Sequence, residues 1–264
     1  MNNSNLNVAL FPMEIMWEEK EQNLVNLAQA MRLLHPATDL LVLPETFSTG
    51  FITGDKEHVR PFAERNTGAT IDFLKDLAEK HSVAIAGSFI ADSGGSLYNR
   101  AFFIEPGGEE TFADKRHLFT MAGEQKVFSY GHDRLSVRYR GWNIAMVVCY
   151  DIRFPVWCRN RGNEYDVLLC VANWPKVRVG AWNTLIPARA IENEAYVCAV
   201  DCMGTDTGGF EYDGSSMIVD FKGKRIDRPA EGTPFRCASL SKESIDRFRE
   251  KFPAWRDADS FDFR

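Results

Sequence analysis

The sequence predicts an α/β protein in which mixed sheets are covered by helices on their outer faces. Two patterns carry that expectation. Short apolar runs of strand length alternate with segments whose apolar residues recur at helical spacing. Hairpin signals interrupt the alternation and bring in antiparallel neighbours. No linker or low-complexity stretch breaks the 264 residues, a length that fits one large domain or two small ones.

Leu6–Phe11 is short and apolar and reads as the first strand. Glu18–Leu34 follows as a helix, with Leu24, Leu27, Ala28, Met31 and Leu34 on one face. Asp39–Leu43 is a continuous apolar run ending at Pro44, as expected of a strand covered on both faces. Thr70–His81 repeats the helical stripe through Ile71, Leu74, Leu77 and Ala78. Val83–Ile90 returns to strand, and Asn99–Ile104 pairs beside it across the turn at Asp92-Ser-Gly-Gly-Ser.

The second half follows the same grammar, though no sequence repeat is visible. Leu135–Tyr139 and Trp142–Val148 form a hairpin across Arg140-Gly141. Val167–Val171 is another buried strand. Val179–Ala195 is a helix in which Pro187 marks a kink or a late start. Tyr196–Val200 and Met217–Val219 complete the strands. The tail carries Phe248, Phe252, Trp255, Phe261 and Phe263, which predicts docking on the body or on a neighbouring subunit.

Composition narrows the function classes. Hydrophobic residues are 45% and charged residues 26%, as in an ordinary globular protein. The net charge of −6, without a cluster of Lys and Arg among aromatics, disfavours nucleic acid as a partner. The N-terminus has no basic region before its brief apolar stretch, so neither a signal peptide nor a membrane span is expected. The six cysteines form no Cys-x-x-Cys pair and have no His at zinc spacing. Free thiols in a reducing cytoplasm and no metal are expected.

Cys149 follows the apolar run Trp142–Val148 and precedes Tyr-Asp-Ile-Arg-Phe-Pro. A thiol at such a strand tip, near the open N–H groups of a helical turn, has a lowered pKa and a ready oxyanion site. Taken alone, it reads more readily as a packed core cysteine. Glu45, after Val-Leu-Pro, places a carboxylate at another strand tip, where partial burial suits a general base; a helix cap or loop acid is the plain alternative. Lys115 lies in Asp-Lys-Arg-His-Leu-Phe, where a fixed ammonium could stabilise a thiolate and an oxyanion, although most lysines are simply solvated. Glu124, in Met-Ala-Gly-Glu-Gln-Lys, is a second acid that reads by default as a surface carboxylate. His117 and His132 read best as structural.

Val-Leu-Pro-Glu45, Asp-Lys115-Arg-His-Leu-Phe and Val-Val-Cys149-Tyr-Asp-Ile-Arg-Phe-Pro, in that order, resemble the three signature blocks of the nitrilase (carbon–nitrogen hydrolase) superfamily. Ala-Arg189-Ala-Ile-Glu-Asn193 is similar to the family's helix after the Cys block, and the resemblance runs from about Leu6 to Leu240. His-Leu-Phe-Thr-Met-Ala-Gly-Glu124, Cys-Tyr-Asp-Ile-Arg-Phe-Pro-Val-Trp and Val-Ala-Asn-Trp-Pro look most like the omega-amidase branch. The resemblance implies a four-layer αββα sandwich, usually paired into a homodimer or a higher homo-oligomer. It implies a hydrolase-like domain over 4–242 and a tail over 243–264.

It also implies a Glu45–Lys115–Cys149 triad, a supporting Glu124, and no cofactor. The implied reaction hydrolyses the terminal amide of small omega-amido 2-oxo acids through a thioester, with the Tyr150 N–H receiving the oxyanion. Deaminated glutathione amidase, N-carbamoyl amidohydrolase and nitrilase keep the same triad, and a redox-sensing thiol needs only Cys149. A substrate carboxylate requires a cation. Arg153 suits it through its planar fork, unless it pairs with Asp151 or another acid to brace the turn. Lys176 and Arg178 are weaker candidates, and Phe51, Phe119 and Trp174 are expected to wall the pocket or to be simple core.

Overall fold

The computed structural model describes residues 5–262; residue 4 and Phe263 fall outside them. The chain lays down β1 (Asn5–Leu10), β2 (Leu40–Val42), β3 (Ala84–Ser93), β4 (Ser96–Ile104) and β5 (Glu110–Asp114). It continues with β6 (Leu135–Tyr139), β7 (Trp142–Val148), β8 (Val167–Ala172) and β9 (Tyr196–Asp201). A small hairpin of β10 (Met203–Thr205) and β11 (Glu211–Asp213) precedes β12 (Met217–Val219), β13 (Arg228–Pro229) and β14 (Arg236–Ser241). One sheet has the order β13-β14-β1-β2-β3-β4-β5 and the other β12-β9-β8-β7-β6.

The two sheets share a plan. β1, β2 and β3 run parallel between antiparallel β14 and β4. β7, β8 and β9 likewise run parallel between antiparallel β6 and β12. Alternate residues of each strand point to opposite faces. Leu6, Val8 and Leu10 meet Ile144, Met146 and Val148 between the sheets. The other face of the first sheet, with Leu41 and Ile85, packs on Leu27 and Met31 of α1 (Lys20–Met31) and on Leu74 and Ala78 of α2 (Ala69–His81). Leu168 and Val197 of the second sheet pack on Trp182 and Ile186 of α3 (Val179–Asn193). The layers are therefore α, β, β and α. Burial on both faces is why the central strands are uninterrupted apolar runs.

Several boundaries differ from the sequence expectation for physical reasons. α1 starts at Lys20 because Glu18 has a left-handed backbone, φ 65°. α3 runs through Pro187, so the proline does not mark a late start. β10, β11, β13 and β14 were not anticipated, being short and lacking clean alternation.

α4 (Lys242–Lys251) folds back onto its own chain. Ile245 enters the core between the sheets, and Phe248 lies 4.7 Å from Phe221. Arg249 donates to the Asp166 carboxylate at 2.8 Å and to the carbonyls of Glu194 and Tyr165. Both members of the ion pair are buried. Arg249→Ala should lower unfolding stability by about 3 kcal/mol in urea titration, because it leaves a buried carboxylate short of a partner. A loss below about 0.5 kcal/mol would show that this anchor is dispensable.

Candidate active site

The carboxyl ends of strands from both sheets meet at one cavity of about 410 Å³. Glu45 follows β2 and Pro44, Lys115 follows β5, Cys149 follows β7, and Asn173 follows β8. All four line the cavity.

Lys115 Nζ is buried and donates to Glu45 Oε1 at 2.8 Å and to both Glu124 oxygens at 3.0 Å. Burial alone would depress the ammonium, but the charges of Glu124 and Glu45 outweigh it and hold Lys115 well above the usual lysine range. Burial, reinforced by repulsion from Glu45, raises Glu124 despite the attraction of Lys115. Glu124 re-enters this cluster through a tight turn in which Gly123 takes a left-handed φ of 77°. The Phe119 N–H fixes its Oε2 at 2.5 Å.

Sequence reasoning missed the supports of this cluster. Asn99, buried on β4, donates to Glu45 Oε1 at 2.7 Å and to Glu124 Oε1 at 3.4 Å. Its carbonyl accepts the Lys115 N–H. Ser88 orients Asn99 by donating to its Oδ1 at 2.9 Å, and also accepts the Thr46 N–H. The Asn173 N–H donates to Glu45 Oε2 at 2.9 Å. A buried Asn on a strand has no sequence signature, whereas Asn173 was within the quoted Val-Ala-Asn-Trp-Pro segment without a role of its own.

Cys149 has φ 47°, which is uncommon for a residue with a side chain. This bend aims the half-buried thiol into the cavity, with Sγ 3.8 Å from the Asn173 carbonyl. Burial first, then the Glu45 charge, pushes the thiol well above its usual range; Lys115 only partly opposes them. The lowered pKa expected from the helical turn is therefore corrected: the resting group is a neutral thiol beside a carboxylate. The 3-10 turn Cys149–Arg153 begins here, so the Tyr150 N–H has no acceptor within the turn.

Asp151 accepts from the Val148 and His117 N–H groups and lies 2.8 Å from His117 Nδ1. It thereby ties the Cys149 turn to the segment carrying Lys115. His117 also stacks on Phe154 at 3.7 Å, a structural role. Because Asp151 is engaged by these groups, Arg153 does not brace the turn through it. Arg153 instead lies 4.8 Å above the Trp174 ring and faces the cavity. Phe51, Phe119, Tyr150, Trp174 and Arg178 also line the cavity; Lys176 does not, and pairs with Glu211 at 3.1 Å.

Among the described residues, no helix is long and apolar enough to cross a membrane, and no group of three or more His, Cys, Asp or Glu could hold a metal ion. All six cysteines are free.

The carbon–nitrogen hydrolase family matches residues 7–250. The omega-amidase YafV of Yersinia enterocolitica is 38% identical over 259 residues, covering 98% of each chain. YafV of Escherichia coli K12 is 38% identical over 257 residues, covering 97% of this chain and 98% of its own. The crystal structure of XC1258 from Xanthomonas campestris, a CN-hydrolase superfamily protein, superimposes with a TM-score of 0.93. It is 34% identical and covers 98% of this chain and 99% of its own.

Alkylation of Cys149 by iodoacetamide, mapped by mass spectrometry, should titrate with a midpoint above about 8.5, the ordinary thiol value. Glu45→Gln removes a charge that raises the thiol, so the midpoint of the alkylation titration should move to lower pH. A midpoint that stays in place or rises in this variant would contradict the charge balance described.

Proposed function

The chain belongs to the carbon–nitrogen hydrolase family, and we propose that it cleaves the terminal amide of small omega-amido 2-oxo acids to the acid and ammonia. One observation carries the chemistry: a buried ammonium bridges two carboxylates beside a thiol at the floor of a cavity. The omega-amidase relatives and the acid-free guanidinium of Arg153 support the substrate class.

In this reading the Cys149 sulfur attacks the amide carbonyl as Glu45 takes its proton. The oxyanion forms against the Lys115 ammonium and the Tyr150 N–H, each donor contributing about 10²–10³ in rate. Glu45 returns the proton to the nitrogen, the C–N bond breaks, and ammonia leaves a thioester. Glu45 then takes a proton from water, hydroxide displaces the sulfur, and the thiol is restored. Glu124 and Asn99 hold Lys115 and Glu45 in place throughout. The resting thiol suits this sequence, because the proton need move only as the carbon–sulfur bond forms.

The substrate's free carboxylate meets Arg153, whose flat fork can take both oxygens. Phe51, Phe119 and Trp174 wall the chain between the two ends, and no step calls for a cofactor.

With 2-oxosuccinamate, Cys149→Ala should fold normally, with an unchanged unfolding midpoint, yet release ammonia at least about 10⁴-fold more slowly. Wild-type enzyme quenched during turnover should carry an acyl mass on the peptide containing Cys149. Persisting turnover in the variant would end the proposal.

A further inference from the structure

Among the described residues, two arginines line the cavity without an acidic partner, and the proposed function uses only one. The second, Arg178, immediately precedes α3 and is half-buried. Its guanidinium lies 5.2 Å from the Phe119 ring centroid and 5.9 Å from that of Phe210. Its carbonyl accepts the Trp174 Nε1–H at 2.9 Å, and the same indole lies under Arg153. One tryptophan therefore positions both cationic residues.

The acids that could neutralise Arg178 are engaged elsewhere. Asp206, on the cavity wall, accepts the N–H groups of Gly208 and Phe210 on one oxygen and the Tyr212 hydroxyl on the other. Glu18, also on the wall, pairs with His58 at 3.1 Å. Glu211 holds Lys176. Among the described residues no carboxylate pairs with either arginine. Aromatic contacts keep a guanidinium flat and in place while leaving its N–H edge open to an anion.

We propose that Arg178 is a second specificity-determining residue, binding the substrate's remote carboxylate together with Arg153. This rests on the amide-hydrolase reading above and adds that recognition of the acid is shared between two forks. Two forks also match the acceptors at hand, since a carboxylate beside a 2-oxo group offers three oxygens and one fork engages two.

The test compares kcat/KM for glutaramate with that for pentanamide, a neutral amide of equal chain length. Wild-type enzyme should favour the acid. Arg178→Gln should cut that preference about 10- to 100-fold, as expected for a lost charged hydrogen bond, mainly through a higher KM for glutaramate. Arg178→Lys, which keeps the charge without the fork, should recover part of it. A preference that survives Arg178→Gln and disappears in Arg153→Gln would overturn the role of Arg178 and leave the parent reading standing. No wild-type preference for the acid would overturn both.

Discussion

The contact on which the rest depends is the Lys115 ammonium held between Glu45 and Glu124. Removing an ammonium and two carboxylates from water is costly, and only close pairing with further hydrogen bonds offsets it. The structure supplies those bonds from Asn99, the Asn173 backbone and the Phe119 backbone. Lys115 and Glu124 come from the connection after β5, Glu45 from the end of β2 and the Asn173 N–H from the end of β8. The full set of bonds is therefore complete only when the second sheet packs on the first. The same contact also sets the protonation of its neighbour. Burial first and then the Glu45 charge raise the Cys149 thiol, and the Lys115 ammonium offsets them only in part.

The paired sheets give this cluster its address. Parallel strands place their carboxyl ends on one edge of a sheet, and open α/β folds build sites there. Here two such edges face each other, with Glu45 from one sheet opposite Cys149 and Asn173 from the other. A single sheet could not surround a thiol with these groups while excluding water from behind. Asp151 and Gly131 secure the junction. The former bridges to His117, and the latter packs so closely on the Asp114 carbonyl that a Cβ would lie 1.8 Å away.

Much of this was legible from residue order. The continuous apolar runs foretold strands buried on both faces, and Pro44 and the Tyr-Asp-Ile-Arg-Phe-Pro segment marked the strand tips where Glu45 and Cys149 stand. What stayed hidden depended on geometry between distant segments. Asn99 reads as an ordinary strand residue until the fold brings it beneath two carboxylates. The thiol's pKa could not be read from its turn alone, because the opposing charge comes from another sheet. That Asp151 serves His117 and makes no pair with Arg153 was visible only in the fold. β14 was invisible because its mixed polar pattern matches its partly covered position at the first sheet.

The paired Glu45 and Lys115 line the cavity beside Cys149, and among the described residues the guanidinium groups of Arg153 and Arg178 on its wall have no carboxylate partner. On the proposed function, a molecule bearing an amide at one end and an anion at the other would be oriented by these cations before it touches the sulfur. The same two cations would then separate chemically close molecules. An amino acid amide such as glutamine would bring its own α-ammonium against Arg153 and Arg178, whereas a ketone at that carbon brings only lone pairs. On the proposed function, discrimination between a nitrogen-bearing acid and its deaminated counterpart would rest on charge at Arg153 and Arg178, away from the bond being broken.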